Sequence, residues 1–102
     1  MEEMKVLGRE NGCLTVALSG EVDSGNAEAF YEGVIAAYAE SPSNVMFDCE
    51  NLDFIDSTTL GTFVKILKRV KTDGYKMSLK NLKPKIKKLF FICSLDSIME
   101  IK

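Results

Sequence analysis

The chain has 102 residues, 46% of them apolar, enough for one core of ordinary domain size and too few for two. Its net charge of −2 conceals an asymmetry: residues 1–50 carry 10 acidic and 2 basic side chains, residues 51–102 carry 5 and 11, so the halves stand near −8 and +6. With no histidine and three widely spaced cysteines, His-containing metal sites, Ser-His and Cys-His nucleophile pairs and a disulfide framework are excluded.

Lys5–Arg9 and Cys13–Ser19 read as two strands joined around Asn11-Gly12, a dipeptide that accepts the positive φ angles of a tight hairpin. In the second strand Leu14, Val16 and Leu18 alternate with smaller or polar residues, so one face belongs to the core. Gly20-Glu21-Val22-Asp23 follows, and Ser24 opens a predicted helix with Ala27, Phe30, Tyr31, Val34, Ile35 and Tyr38 at helical intervals. Ser41-Pro42-Ser43 ends it. The next strand, Val45 to Phe47, is a continuous apolar run of the kind covered on both faces, and a connector with Leu52, Phe54 and Ile55 leaves it.

Asp56-Ser57-Thr58-Thr59 then opens a second helix to about Asp73, with Leu60, Phe63, Val64, Leu67 and Val70 inward and Lys65, Lys68, Arg69 and Lys71 largely outward. Lys76–Lys80 is a short strand pointing Met77 and Leu79 inward. Pro84 sits near the first turn of a third helix, where its missing N–H costs little, and Ile86, Leu89, Phe90 and Cys93 form its inner stripe. Ile98–Ile101 closes the chain as a strand. Cys13, Cys49 and Cys93 read as reduced, packed thiols. Repeated strand-helix-strand units imply parallel pairing and right-handed crossovers. The expected fold is therefore α/β, a mixed sheet of about five strands with helices mainly on one face, in one domain over residues 1–102. No apolar run is long enough for a membrane span and the amino terminus has no signal character, so a soluble, cytoplasmic protein is expected.

The stretch Asn44–Gly61 organises the chain's chemistry. Ser57 falls at the amino end of a helix, where unpaired N–H groups and the macrodipole favour a phosphate. On its own residues Ser57 fits a helix cap as well as a phosphate acceptor, Asp56 and Asp23 also fit caps, and Thr58 and Thr59 are rival acceptors. Asp48, Asp53 and Asp56 match no Ca²⁺ loop, and no nucleophile elbow, phosphate-binding glycine loop or dinucleotide fingerprint occurs. Catalysis is not expected, and no cofactor is called for. Net acidity and the lack of an aromatic-interleaved basic motif count against nucleic-acid binding through Lys65, Lys68, Arg69, Lys71 and the lysines of 83–88.

Val45-Met46-Phe47-Asp48, then Leu52, Phe54-Ile55 and Asp56-Ser57-Thr58-Thr59-Leu60-Gly61, resemble the signature of the STAS domain family's bacterial anti-sigma factor antagonists. Gly20-Glu21-Val22-Asp23 resembles the family's turn before its first helix, and Lys83–Phe90 its third-helix segment, so the likeness covers nearly the whole chain. The resemblance implies a STAS-type fold and a partner switch. Ser57, by position, would be phosphorylated by a serine kinase that doubles as an anti-sigma factor. The unphosphorylated form would bind that kinase and free the sigma factor, the phosphorylated form would not bind, and a PP2C-type phosphatase would reset it. Asp23, Asp56, Thr58, Thr59 and Gly61 would take part in partner binding, with the protein a monomer or weak dimer that contacts neither membrane nor nucleic acid. The alternative is a STAS-like small-ligand or scaffold module in which Ser57 only caps.

Two departures accompany the resemblance. Thr59 stands where the family commonly has glycine, and its branched side chain is expected to crowd the loop. The chain also reaches Lys102 without the family's final helix, which would leave one part of the sheet less covered.

Overall fold

Alternating apolar and small residues in the second hairpin arm decide which side of the sheet is covered. In a computed structural model describing residues 1–102, strands β1 (Met4–Glu10), β2 (Cys13–Val22), β3 (Asn44–Ile55), β4 (Met77–Lys80) and β5 (Glu100–Ile101) lie side by side in chain order. β1 and β2 are antiparallel across a turn in which Asn11 and Gly12 have φ of 52° and 73°; the remaining pairs are parallel. Helices α1 (Ala27–Glu40), α2 (Ser57–Thr72) and α3 (Pro84–Ile92) make the crossovers. Right-handed crossovers that each add the next strand on the same side place their helices on one face. Leu14, Val16, Leu18, Val45, Phe47, Met77 and Leu79 are buried there, while Thr15, Ala17, Met46, Asp48, Ser78 and Lys80 between them are half-buried. β3 is thus covered on one face, and the expectation of two covered faces fails because every crossover runs the same way.

The core is built on four phenylalanines in edge-to-face contact. Phe63 of α2 meets Phe30 of α1 at 5.2 Å, Phe47 of β3 at 5.3 Å and Phe90 of α3 at 5.5 Å, and Phe30 meets Phe47 at 5.8 Å. Each pair adds about 0.5–1.5 kcal/mol beyond the area it buries. At the far end of the helices the buried Tyr38 hydroxyl donates to the Asp73 carboxylate at 2.7 Å, tying α1 to the end of α2. Burial, then that bond, pushes Tyr38 up to about 12.

Several boundaries differ from the sequence expectation. β2 runs to Val22 and β3 to Ile55, because the presumed connector after Phe47 remains paired through Ser19↔Asn51, Gly20↔Leu52, Glu21↔Phe54 and Val22↔Ile55. Two irregularities in that pairing each give β3 an extra residue, so its inward positions become Cys49, Leu52 and Ile55. A spacing of three does not read as a strand. α1 begins at Ala27, since Ser24 and Gly25 belong to a turn, and the last strand shrinks to Glu100–Ile101 because Leu95–Ser97 form a single 3-10 turn. Of the three thiols only Cys49 is buried; Cys93 caps the end of α3 and is exposed, which corrects its placement in the inner stripe.

Because Phe63 touches all three other rings, Phe63→Ala is expected to cost about 3–5 kcal/mol in urea unfolding, with the slope of the transition unchanged. A loss below about 1 kcal/mol would show that the four rings do not form the core.

Candidate functional site

Parallel β2, β3 and β4 end on the same edge of the sheet, so the chain segments after them converge there. The turn after β2 is closed by its own side chains. The Asp23 carboxylate accepts the Gly25 N–H at 2.8 Å, the Asn26 side-chain oxygen accepts the Asp23 N–H at 2.8 Å, and the Asn26 amide donates to the Glu21 carbonyl at 3.0 Å. The Ser24 N–H is left pointing out of the turn, toward β3.

After β3, Asp56 is extended (φ −114°, ψ −176°) and caps α2. One carboxylate oxygen accepts the Thr59 N–H at 3.0 Å and lies 3.0 Å from the donating Thr59 hydroxyl; the other accepts the Ser24 N–H at 2.9 Å. The Thr59 N–H, followed by the Ser24 N–H and the Thr59 hydroxyl, holds the carboxyl below the usual aspartate range. This settles the cap on Asp56 and puts Ser57 at the first helical position. Ser57 and Thr58 are exposed, and by helix geometry their own N–H groups have no partner inside the helix. The result is a solvent-facing hydroxyl beside two free amide donors and the positive end of a 16-residue helix.

The other predicted contact residues separate into two layers. Gly61, one turn beyond Ser57, is exposed, and a Cβ there would meet nothing within 4 Å. Thr58 and Ser24 stand at the mouth of an open groove of about 450 Å³ between α1 and α2, along which Glu28 and Glu32 face Lys65, whose ammonium lies 4.3 Å from the Tyr31 ring centre. Thr59 lies beneath this surface at 0% exposure, its hydroxyl 2.6 Å from the Val22 carbonyl at the end of β2. It therefore offers no surface to a partner and no free hydroxyl as a rival acceptor. Nor does it crowd the loop, because its side chain turns inward. Asp23 and Asp56 are brought together through Ser24, but both carboxylates are occupied by backbone N–H groups. Asp48 and Asp53 go elsewhere, to Asn81 and to an ion pair with Lys83.

Two features at this edge were not visible in the sequence. Ser24 has the sequence character of a helix start, which carries no signal of its role as donor to Asp56. Phe54, in a stretch with the sequence character of a connector, is 45% exposed and lines a cleft of about 160 Å³ with Ile55, Ile86 and Leu89. Its unbroken run with Ile55 could have suggested an outward aromatic, had the strand been recognised.

Asp56→Ala is expected to lower Tm by about 4–8 °C at pH 7, a cap's worth for a domain of this size. Because the folded protein depresses the Asp56 pKa, that stabilisation is present above the ordinary value of 3.8 and is lost as pH falls through the folded value. Thermal melts of both proteins across pH 2–7, a range chosen to bracket ordinary carboxyl pKa values, should therefore converge at the acid end. A gap that stays constant to the lowest pH would contradict the assignment.

Comparison with known proteins agrees with this architecture. The STAS domain model matches residues 5–102. The anti-sigma-B factor antagonist of Bacillus subtilis is 32% identical over 88 residues, which cover 86% of this chain and 80% of that protein. TM1081 of Thermotoga maritima superposes with a TM-score of 0.84 at 23% identity, over 96% of this chain and 82% of its own. Phosphorylated SpoIIAA of Bacillus gives 0.75 at 19% identity, over 97% and 90%, and the unphosphorylated form 0.71 at 19%, over 85% and 80%. The last two proteins are likenesses of fold. The chain belongs to the STAS domain family, among its anti-sigma factor antagonists.

Proposed function

We propose that this protein is a phospho-regulated anti-sigma factor antagonist: unphosphorylated, it binds an anti-sigma serine kinase and so releases the sigma factor, and phosphorylation of Ser57 blocks that binding. The observation that carries the reading is the exposed Ser57 hydroxyl at the first position of α2, held by the Asp56 cap. The name of the Bacillus subtilis relative and the existence of SpoIIAA in phosphorylated and unphosphorylated forms support it. The protein acts as substrate and ligand, with the kinase and a PP2C-type phosphatase supplying the catalysis. Ser57, Thr58 and Gly61, with the Asp23-Ser24 turn alongside, form the contact surface; Asp56 and Thr59 hold it from behind.

The electrostatics suit a switch of this kind. A phosphoserine adds about −1.5 to −2 charges, which the amino end of α2 accepts with roughly 0.3–1 kcal/mol of stabilisation, so the fold tolerates it. Against an acidic or closely packed partner surface about 6 Å away, the same charges cost roughly 1–5 kcal/mol. At about 1.4 kcal/mol per decade, binding falls by one to three decades without any refolding.

Incubation with ATP and purified anti-sigma serine kinases of the same organism, followed by intact-mass and site mapping, tests the reading. One phosphate on Ser57, absent from Ser57→Ala, with kinase affinity reduced about 10- to 1000-fold, is expected. Binding that persists, or fails, with no phosphate across the full set of kinases would instead identify a constitutive scaffold or ligand module.

A further inference from the structure

We propose that Thr59 is a positioning residue for Ser57, its buried hydroxyl setting the orientation in which the kinase receives the serine; this rests on the phospho-switch reading above. Third positions of helices ordinarily face solvent or the flank of the cap. Here the side chain is at 0% exposure and its hydroxyl reaches the Val22 carbonyl at 2.6 Å. Val22 is the last residue of β2 and is itself at 0% exposure, so its carbonyl needs a donor that water does not supply. The same hydroxyl is 3.0 Å from the Asp56 carboxylate, the longer of its two contacts.

Thr59 thereby fixes α2 against the end of β2 by a bond additional to those of the cap. Asp56 ties α2 to Ser24 through one rotatable carboxylate arm, and that bond by itself does not set the fine orientation of the first turn. A second bond two residues beyond Ser57, to the buried end of β2, adds a second fixed point. Ser57, Ser24 and the Val22 carbonyl then move as one body, and the serine hydroxyl is presented with a single geometry. A phosphoryl acceptor displaced by about 1 Å can lose rate by up to two decades, which is why a group behind the surface can govern the reaction at it.

Thr59→Val keeps the shape and removes the hydroxyl; Thr59→Ser keeps the hydroxyl. With ATP and the purified anti-sigma kinase that phosphorylates the wild type, kcat/KM for Ser57 should fall roughly tenfold in the valine variant, well below its Tm, and stay within about twofold in the serine variant. Amide exchange at Ser24 and at residue 59, whose N–H groups both bond the Asp56 carboxylate, should quicken roughly tenfold in valine and not in serine. Thr59→Ala carries the same expectation if the valine variant fails to fold. Wild-type rates and exchange in the hydroxyl-free variants would overturn the proposal, as would a serine variant that falls as far as valine, since shape and not the hydroxyl would then matter. No phosphate on wild-type Ser57 would overturn the switch reading along with it.

Discussion

The Asp56 carboxylate joins two chain segments that are 32 residues apart, accepting from Ser24 on one oxygen and from the first turn of α2 on the other. The Thr59 hydroxyl on the Val22 carbonyl already holds the start of α2 to the end of β2, and the carboxylate bridge adds the turn that follows. With both bonds the turn and the start of α2 are one surface, and Ser57 sits on the near side of the joint. On the proposed function, the negative charge of the bridge would favour an outward placement for a phosphate on the next residue. Asp56 already fills the inward position with its own charge, so added charge accumulates at the surface.

Beneath that surface lies the packed core of four rings. Phe63 makes contact with a ring from each of the other two helices and from β3, and it lies six residues along α2 from Ser57. Cores of this kind are closely packed and resist small displacements. A change of charge at the first turn is thus read by whatever touches the sheet edge and is little felt by the rings. On the proposed function, activity resides in the electrostatics of a small patch and stability in the buried residues behind it.

Much of this was legible in the chain. The Asn-Gly hairpin and the alternation of Leu14, Val16 and Leu18 follow a simple period and the structure follows them; in α2 Leu60, Phe63, Leu67 and Val70 are buried as expected, while Val64 is half-buried and Ile66, outside the expected stripe, is fully buried. β3 was legible only to Phe47 because two bulges change its inward spacing to three, hiding both its length and the outward Phe54. At the site, the Asp-Ser junction announced a cap and an exposed hydroxyl, but not which residue did which. The roles of Ser24 and Thr59 are hidden from the sequence for a common reason: they are bonds to segments 32 and 37 residues away, and local propensity carries no information about such partners. Cys93 kept helical spacing yet lies where α3 stops, so its periodicity had no helix left to bury it.

The most direct test of the central claim, that the switch changes a surface held on an unchanged core, is a comparison of backbone amide and methyl NMR spectra of the protein with and without phosphate on Ser57. Shifts confined to the Val22–Asn26 turn, the end of β3 and the first turns of α2 are expected, with the resonances of Phe30, Phe47, Phe63 and Phe90 and their neighbours unmoved. Shifts spread through the four-ring core, or a loss of its dispersion, would contradict it.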